Sequence, residues 1–261
     1  MKLFLPATCV LLGIISLSSC QSYQYLSIDS KSIQKDASDQ FVMENDTMLL
    51  QYNFNGYNGP VKVTVYNKTS KPLYIDWKKS AIIIEDRAYS YYSPNQQLSG
   101  TTTSVEYRYG YNLNSTAGTI DAIIKGQEGI DFIPPNSRKE QSSLYVIKGF
   151  VKDIPEQSLE KRYLWPERKE LPKMKTVDFS EENSPIHLRS YLTFLTNENE
   201  FSIEHQFYIS QVFQSMMRPS SLTPVQDKGN IFYSSRSTGV GAVVGVGIIT
   251  GLVVMGAGVE K

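Results

Sequence analysis

Apolar and polar residues alternate with a period of two along most of this chain. In VKVTVY, Val61, Val63 and Val65 fall on one side and Lys62, Thr64 and Tyr66 on the other, the pattern of a strand with one buried face. NKTSKP at 67–72 is turn chemistry. LYIDW then resumes the alternation with Leu73, Ile75 and Trp77 in phase, and SAIII follows at once. Residues 61–84 therefore read as successive antiparallel strands. The same period returns in SVEYRYGYN, in SSLYVI after the PPNS turn at 134–137, and in HLRSYLTF and FSIEHQFYI, which flank TNENE and predict a late hairpin. QSLEKRYLW at 157–165 has room for a helical turn or two, and no long 3.6-residue pattern competes before the C-terminal tail. Many short strands separated by turn signals predict a mainly β protein, an antiparallel sandwich.

The two ends break the pattern. Lys2 and the apolar run VLLGII at Val10 to Ile15 read as a signal peptide over residues 1–19, too short and too interrupted by Pro6 and Gly13 to span a bilayer. It closes on Leu17-Ser18-Ser19-Cys20. The large Leu at the third position before the cut does not suit an ordinary signal peptidase, and the tetrapeptide resembles a bacterial lipobox. The resemblance implies acylation of Cys20, and hence membrane lipid as a partner; two or three acyl chains hold a protein on a membrane where one is marginal. Cys9 leaves with the leader and Cys20 takes the lipid, so the two cysteines of the chain leave none for a disulfide or a metal. Gln21 and the residues after it carry no acidic signal. By resemblance to Gram-negative lipoproteins this points to the periplasmic face of the outer membrane.

Residues 20–40 are polar and read as a lipidated tether reaching at most ~65 Å. A sandwich region follows over 41–217, as one elaborated domain or two packed ones. Within it, residues 154–175 mix Pro with both signs of charge and read as a solvated surface connection or a domain boundary. Residues 218–237 read as a linker. From Thr238 to Val259 the chain has no charge and seven glycines, a length of about 33 Å as a helix. Its glycines sort into two stripes, Gly241, Gly245 and Gly256 against Gly247, Gly251 and Gly258, set about 130° apart. That arrangement suits a membrane helix packed on both sides in a homo-oligomer. The two-residue rhythm of GVGAVVGVGI suits a membrane β-hairpin, and packing along the sandwich is a third reading.

VTVYNKTSKPLYIDWKKS resembles a run in uncharacterised Gram-negative lipoproteins with an immunoglobulin-like sandwich. The resemblance covers about a tenth of the chain and implies a fold and a compartment, with no catalytic residue to carry across.

The composition narrows the chemistry. With Lys2 removed, 25 basic residues face 26 acidic ones, a near balance that argues against nucleic acid as a partner and against broad electrostatic attraction to anionic lipid. No catalytic or phosphate-binding motif is present, and no cofactor is expected. Of the two histidines, His205 lies in the apolar phase of FSIEHQFYI, as a core histidine would, and His187 points outward beside Arg189. Tyrosine is the richer signal. Tyr89 with Tyr91, and Tyr107 with Tyr109 and Tyr111, share strand phases and would form ladders able to stack on sugar rings, although tyrosine also favours strand surfaces for their own sake. The sequence therefore predicts a non-enzymatic, lipid-anchored envelope protein that presents a sandwich surface to an envelope protein or glycan. The alternatives are a glycan-binding lipoprotein and a hydrolase whose carboxylates meet only in three dimensions.

Overall fold

The structure, a computed structural model, describes residues 20–92, 97–108, 114–125, 129–152, 154–196 and 199–238, with the backbone alone for 20, 97–108, 114–125 and 238. Its strands are β1 (Cys20–Asp29), β2 (Gln34–Lys35), β3 (Phe41–Glu44), β4 (Met48–Asn53), β5 (Pro60–Asn67), β6 (Leu73–Ile84), β7 (Arg87–Ser90), β8 (Gln97–Arg108) and β9 (Asn114–Lys125). There follow β10 (Ile130–Ile133), β11 (Arg138–Tyr145), β12 (Glu160–Arg162), β13 (Met174–Asp178), β14 (His187–Leu195), β15 (Glu200–Ser215) and β16 (Ile231–Thr238). A large antiparallel sheet runs β10-β6-β14-β15-β1-β16, with β7 on β6, β13 on β15 and β12 on β13. A smaller sheet runs β11-β5-β4-β3-β2, and β8 and β9 form a two-stranded ribbon. Among the described residues no helix is long and apolar enough to cross a membrane.

Alternation builds the core. Val61, Val63 and Val65 of β5 and Met48, Leu50 and Tyr52 of β4 are buried, and so are Leu73, Ile75 and Trp77 of β6. The two sheets share one apolar cluster. Phe207 of the large sheet is its joint: the ring lies 5.0 Å from Phe41 and 5.2 Å from Tyr52 of the small sheet, and 5.3 Å from Phe54, in edge-on contacts that favour aromatic pairs. Trp77 packs on Tyr91 at 5.7 Å, and its indole N–H donates to the Asp131 carboxylate at 2.8 Å. The late hairpin forms as its pattern predicts, with Phe194 opposite Phe201.

The strands of 61–84 form, but they do not pair with each other. β5 belongs to the small sheet and β6 to the large one, so NKTSKP crosses between layers rather than closing a hairpin. Asn67 makes the crossing. Fully buried, its side-chain amide donates to the carbonyls of Lys71, Ile133 and Pro134 at 2.8, 3.1 and 3.2 Å, and its oxygen accepts from the Thr69 amide and hydroxyl. Ile133 and Pro134 begin the return crossing from β10 to β11, so one side chain ties both crossings together. Further along, Asp76 and Ser80 hold a bulge in DWKKS. The Asp76 carboxylate accepts from the amides of Lys78 and Lys79, and the Ser80 hydroxyl both donates to the Asp76 carbonyl and accepts from the Thr193 amide.

Two readings of polar segments are corrected and a third is refined. Residues 20–29, expected within the tether, form β1, a strand flanked by β15 and β16 and buried from Tyr23 to Ser27 and again at Ile28. Leu26 and Ile28 supply its inner face and Tyr23 and Tyr25 its outer one. Its buried Gln24 is satisfied by the Val151 backbone, whose N–H donates to the side-chain oxygen and whose carbonyl accepts from the side-chain amide. Residues 218–237, expected as a linker, end in β16, which pairs with β1 along its whole length. Residues 154–175 are mostly exposed, as in a solvated connection, but are anchored where Leu171 and Met174 are buried, with Leu164 and Trp165 packed beside them.

Two outcomes follow for stability, each read by denaturant unfolding. Asn67→Ala removes buried bonds to two crossings and is expected to cost about 2–3 kcal/mol. Trp77→Ala empties a core site and is expected to cost about 3–5 kcal/mol.

Candidate functional site

The described part of the chain begins and ends on neighbouring strands. β1 and β16 pair antiparallel with Cys20 opposite Thr238, Gln21 opposite Ser237 and Tyr23 opposite Ser235. Side chains tie the pair near this end, where the Gln21 amide donates to the Ser235 hydroxyl and the Tyr23 hydroxyl donates to the Gln21 oxygen. The outer edge of β16 is closed in its middle by residues 56–58: the Tyr233 N–H donates to the Gly56 carbonyl and the Asn58 N–H to the Tyr233 carbonyl. Gly59, with φ of +68° and a Cβ position only 3.0 Å from Phe232, is the residue that lets this loop lie so close.

A second apolar cluster covers the face of the large sheet that points away from the small one. It joins Tyr23, Tyr25, Phe213, Leu171, Met174, Leu222 and Val225. Tyr25 stacks on Phe213 at 4.8 Å, and Trp165 meets Phe213 edge-on. The Tyr25 hydroxyl donates to the Met217 carbonyl at 2.8 Å. Burial, reinforced by Tyr23 and Tyr233, drives its pKa far up, so it stays a hydrogen-bond donor. Between this cluster and the 219–227 segment lies a cavity of about 290 Å³ lined by Tyr25, Tyr233, Asn55, Val225 and Gln226. Its walls are largely aromatic and amide, with Ser220 and Asp227 also on the lining, which suits contact and hydrogen bonding.

The residues singled out in the sequence fall in different places. Cys20 is the first residue of β1. Tyr89 is exposed on β7, but Tyr91 is fully buried against Trp77, with its hydroxyl 3.1 Å from that of Ser190. The two do not form a ladder: β7 ends at Ser90 and the chain turns inward, with the Tyr91 N–H donating to the Ser80 carbonyl. Tyr107 lies on β8 opposite Ser115. Tyr109, Tyr111 and the glycines 241, 245, 247, 251, 256 and 258 lie outside the described residues. The aromatic face of β1 and β16 is hidden in the sequence by the polar residues around SYQY and IFY, although Tyr23 and Tyr25, and Ile231 and Tyr233, alternate there.

Both histidines are engaged by the fold. The His205 ring is buried, with Nδ1 3.2 Å from the Tyr52 hydroxyl, and burial lowers its pKa. The His187 Nε2 lies 2.6 Å from the Glu181 carbonyl. Among the described residues no group of three or more His, Cys, Asp or Glu side chains is placed to hold a metal ion.

No protein-family model matches the chain, and no curated protein or solved structure matches it.

The buried imidazole makes stability depend on pH. Because its folded pKa lies below the ordinary value, the unfolded chain binds the proton more readily, and the native state loses stability as pH falls through about 6.5. The loss levels off below the folded value. His205→Gln keeps a partner for Tyr52 and is expected to flatten this part of the profile, read as the difference between the two proteins in unfolding free energy from about pH 7.5 to 5.5.

Proposed function

We propose that this chain is a non-enzymatic, lipid-anchored protein of the cell envelope. In this reading Cys20 carries the lipid, an immunoglobulin-like sandwich presents a surface to an envelope protein or glycan, and the tail beyond Thr238 adds a second membrane attachment or assembles copies of the chain. The outer membrane, on its periplasmic face, is the compartment that fits.

The observation that carries the reading is the pairing of Cys20 with Thr238. Acyl chains on Cys20 and the apolar glycine-rich run that starts after Thr238 leave the folded body at one end of one strand pair. A single membrane surface can therefore receive both. Had they left from opposite ends of β1, about 30 Å would separate them, and one bilayer would accept both only with the body laid flat. The reading also fits a body whose histidines are both occupied with holding strands and turns.

Growth with a labelled fatty acid tests it. The parent chain is expected to incorporate label and Cys20→Ala to lose it while accumulating as a longer precursor. Equal labelling of the two proteins would overturn the proposal.

A further inference from the structure

Beside the Cys20 end, the large sheet carries a group of lysines at odds with the overall charge balance of the chain. Lys161 of β12 stands directly opposite Lys175 of β13. Like charges so placed, with Cβ atoms about 5 Å apart, are destabilising unless something negative lies between them. Lys173, two residues before Lys175, holds its ammonium 5.2 Å from the ring centre of the exposed Tyr163. These lysines border a groove of about 430 Å³ also lined by Ser22, Gln214 and Met216. Met216 is 69% exposed, a large apolar side chain turned to solvent beside three cations. Among the described residues one carboxylate answers them: Glu156 pairs with Lys175 at 3.2 Å, from a side chain that is 83% exposed, where water and salt screen it.

The register fixes where this groove lies. Lys175 is opposite Gln214, which is opposite Gln24. Continued by two residues, the same register sets Lys173 and Met216 level with Ser22, and Ser22 itself lines the groove. Along the strand direction Lys173 thus stands about 7 Å from Cys20, and Lys175 and Lys161 about 13 Å. Cations with aliphatic stems, an exposed methionine and a tyrosine are the side chains that settle at a headgroup layer.

Resting on the lipid-anchored reading above, we infer that Lys161, Lys173 and Lys175 form a seat for the phosphate groups of anionic lipids in the membrane that Cys20 enters. Acyl chains and tail supply attachment, and the lysine groove supplies orientation, turning this end of the sheet flat onto the bilayer and the far end away from it.

The test uses the full chain carrying Cys20→Ala, so that binding does not depend on acylation, floated with vesicles of phosphatidylcholine or of phosphatidylcholine mixed with phosphatidylglycerol. The mixed vesicles are expected to bind more strongly. The triple variant Lys161→Gln, Lys173→Gln, Lys175→Gln is expected to lose roughly tenfold or more of that binding, with its binding to phosphatidylcholine and its circular dichroism unchanged. Arginine at the same three positions is expected to retain it. Undiminished binding by the glutamine variant would overturn the proposal. So would an equal loss in a control with Lys31→Gln, Lys62→Gln and Lys68→Gln, which lie away from the groove. Displacement by inorganic phosphate at matched ionic strength would mark a site for a free anion and overturn the lipid assignment. Because every protein here lacks Cys20, a failure is separate from the outcome of fatty-acid labelling.

Discussion

The two sheets depend on a single amide that fastens the chain where it changes layers. Two of the crossings between the sheets, β5 to β6 and β10 to β11, pass Asn67, and its hydrogen bonds reach into each. A buried backbone at a crossing has left its sheet partners and lacks water, so its carbonyls need donors from elsewhere. Asn67 supplies them from one side chain. With the crossings fixed, β6 is delivered opposite β14 and β11 opposite β5, and the alternating valines and aromatics face one another.

The other half of the large sheet solves a different problem. β1 has the small sheet beneath it and the Tyr25 cluster above, so it carries two buried faces with little aliphatic residue to fill them. Tyrosines bury ring area while keeping a hydroxyl that finds a carbonyl, as Tyr25 does at Met217. Gln24 is admitted to the inner face because the Val151 backbone offers it both a donor and an acceptor. Segments that a hydropathy reading sets aside as polar thus become structural.

That contrast explains what the sequence discloses. β5, β6 and the β14–β15 hairpin were legible because valine, isoleucine, leucine and phenylalanine alternate with polar residues there, and local periodicity is the signal of a half-buried strand. The crossing at 67–72 was legible as a turn but not as a change of sheet, since that depends on carbonyls at 133 and 134, far along the chain. β1 and β16 are harder to read because tyrosines stand among serines and glutamines there, and only a few aliphatic residues mark the core face. The Cys20 end is legible as a resemblance to a lipobox, whereas its closeness to Thr238 and to the lysine groove exists only in register. The opposition of Lys161 to Lys175 has no trace in local spacing.

The pairing of β1 with β15 and β16 also bears on how the body can form. Gln21 meets Ser235 across 214 residues of intervening chain, and β1 has both its neighbours in the last third of the sequence. The entropy lost in closing such loops is spent before the contacts reward it, which makes sheets of this kind slow to assemble. A chain emerging from its N-terminal end therefore cannot complete the large sheet until nearly all of it is present. Through most of synthesis the sheet stays open, and it closes when β16 arrives beside β1.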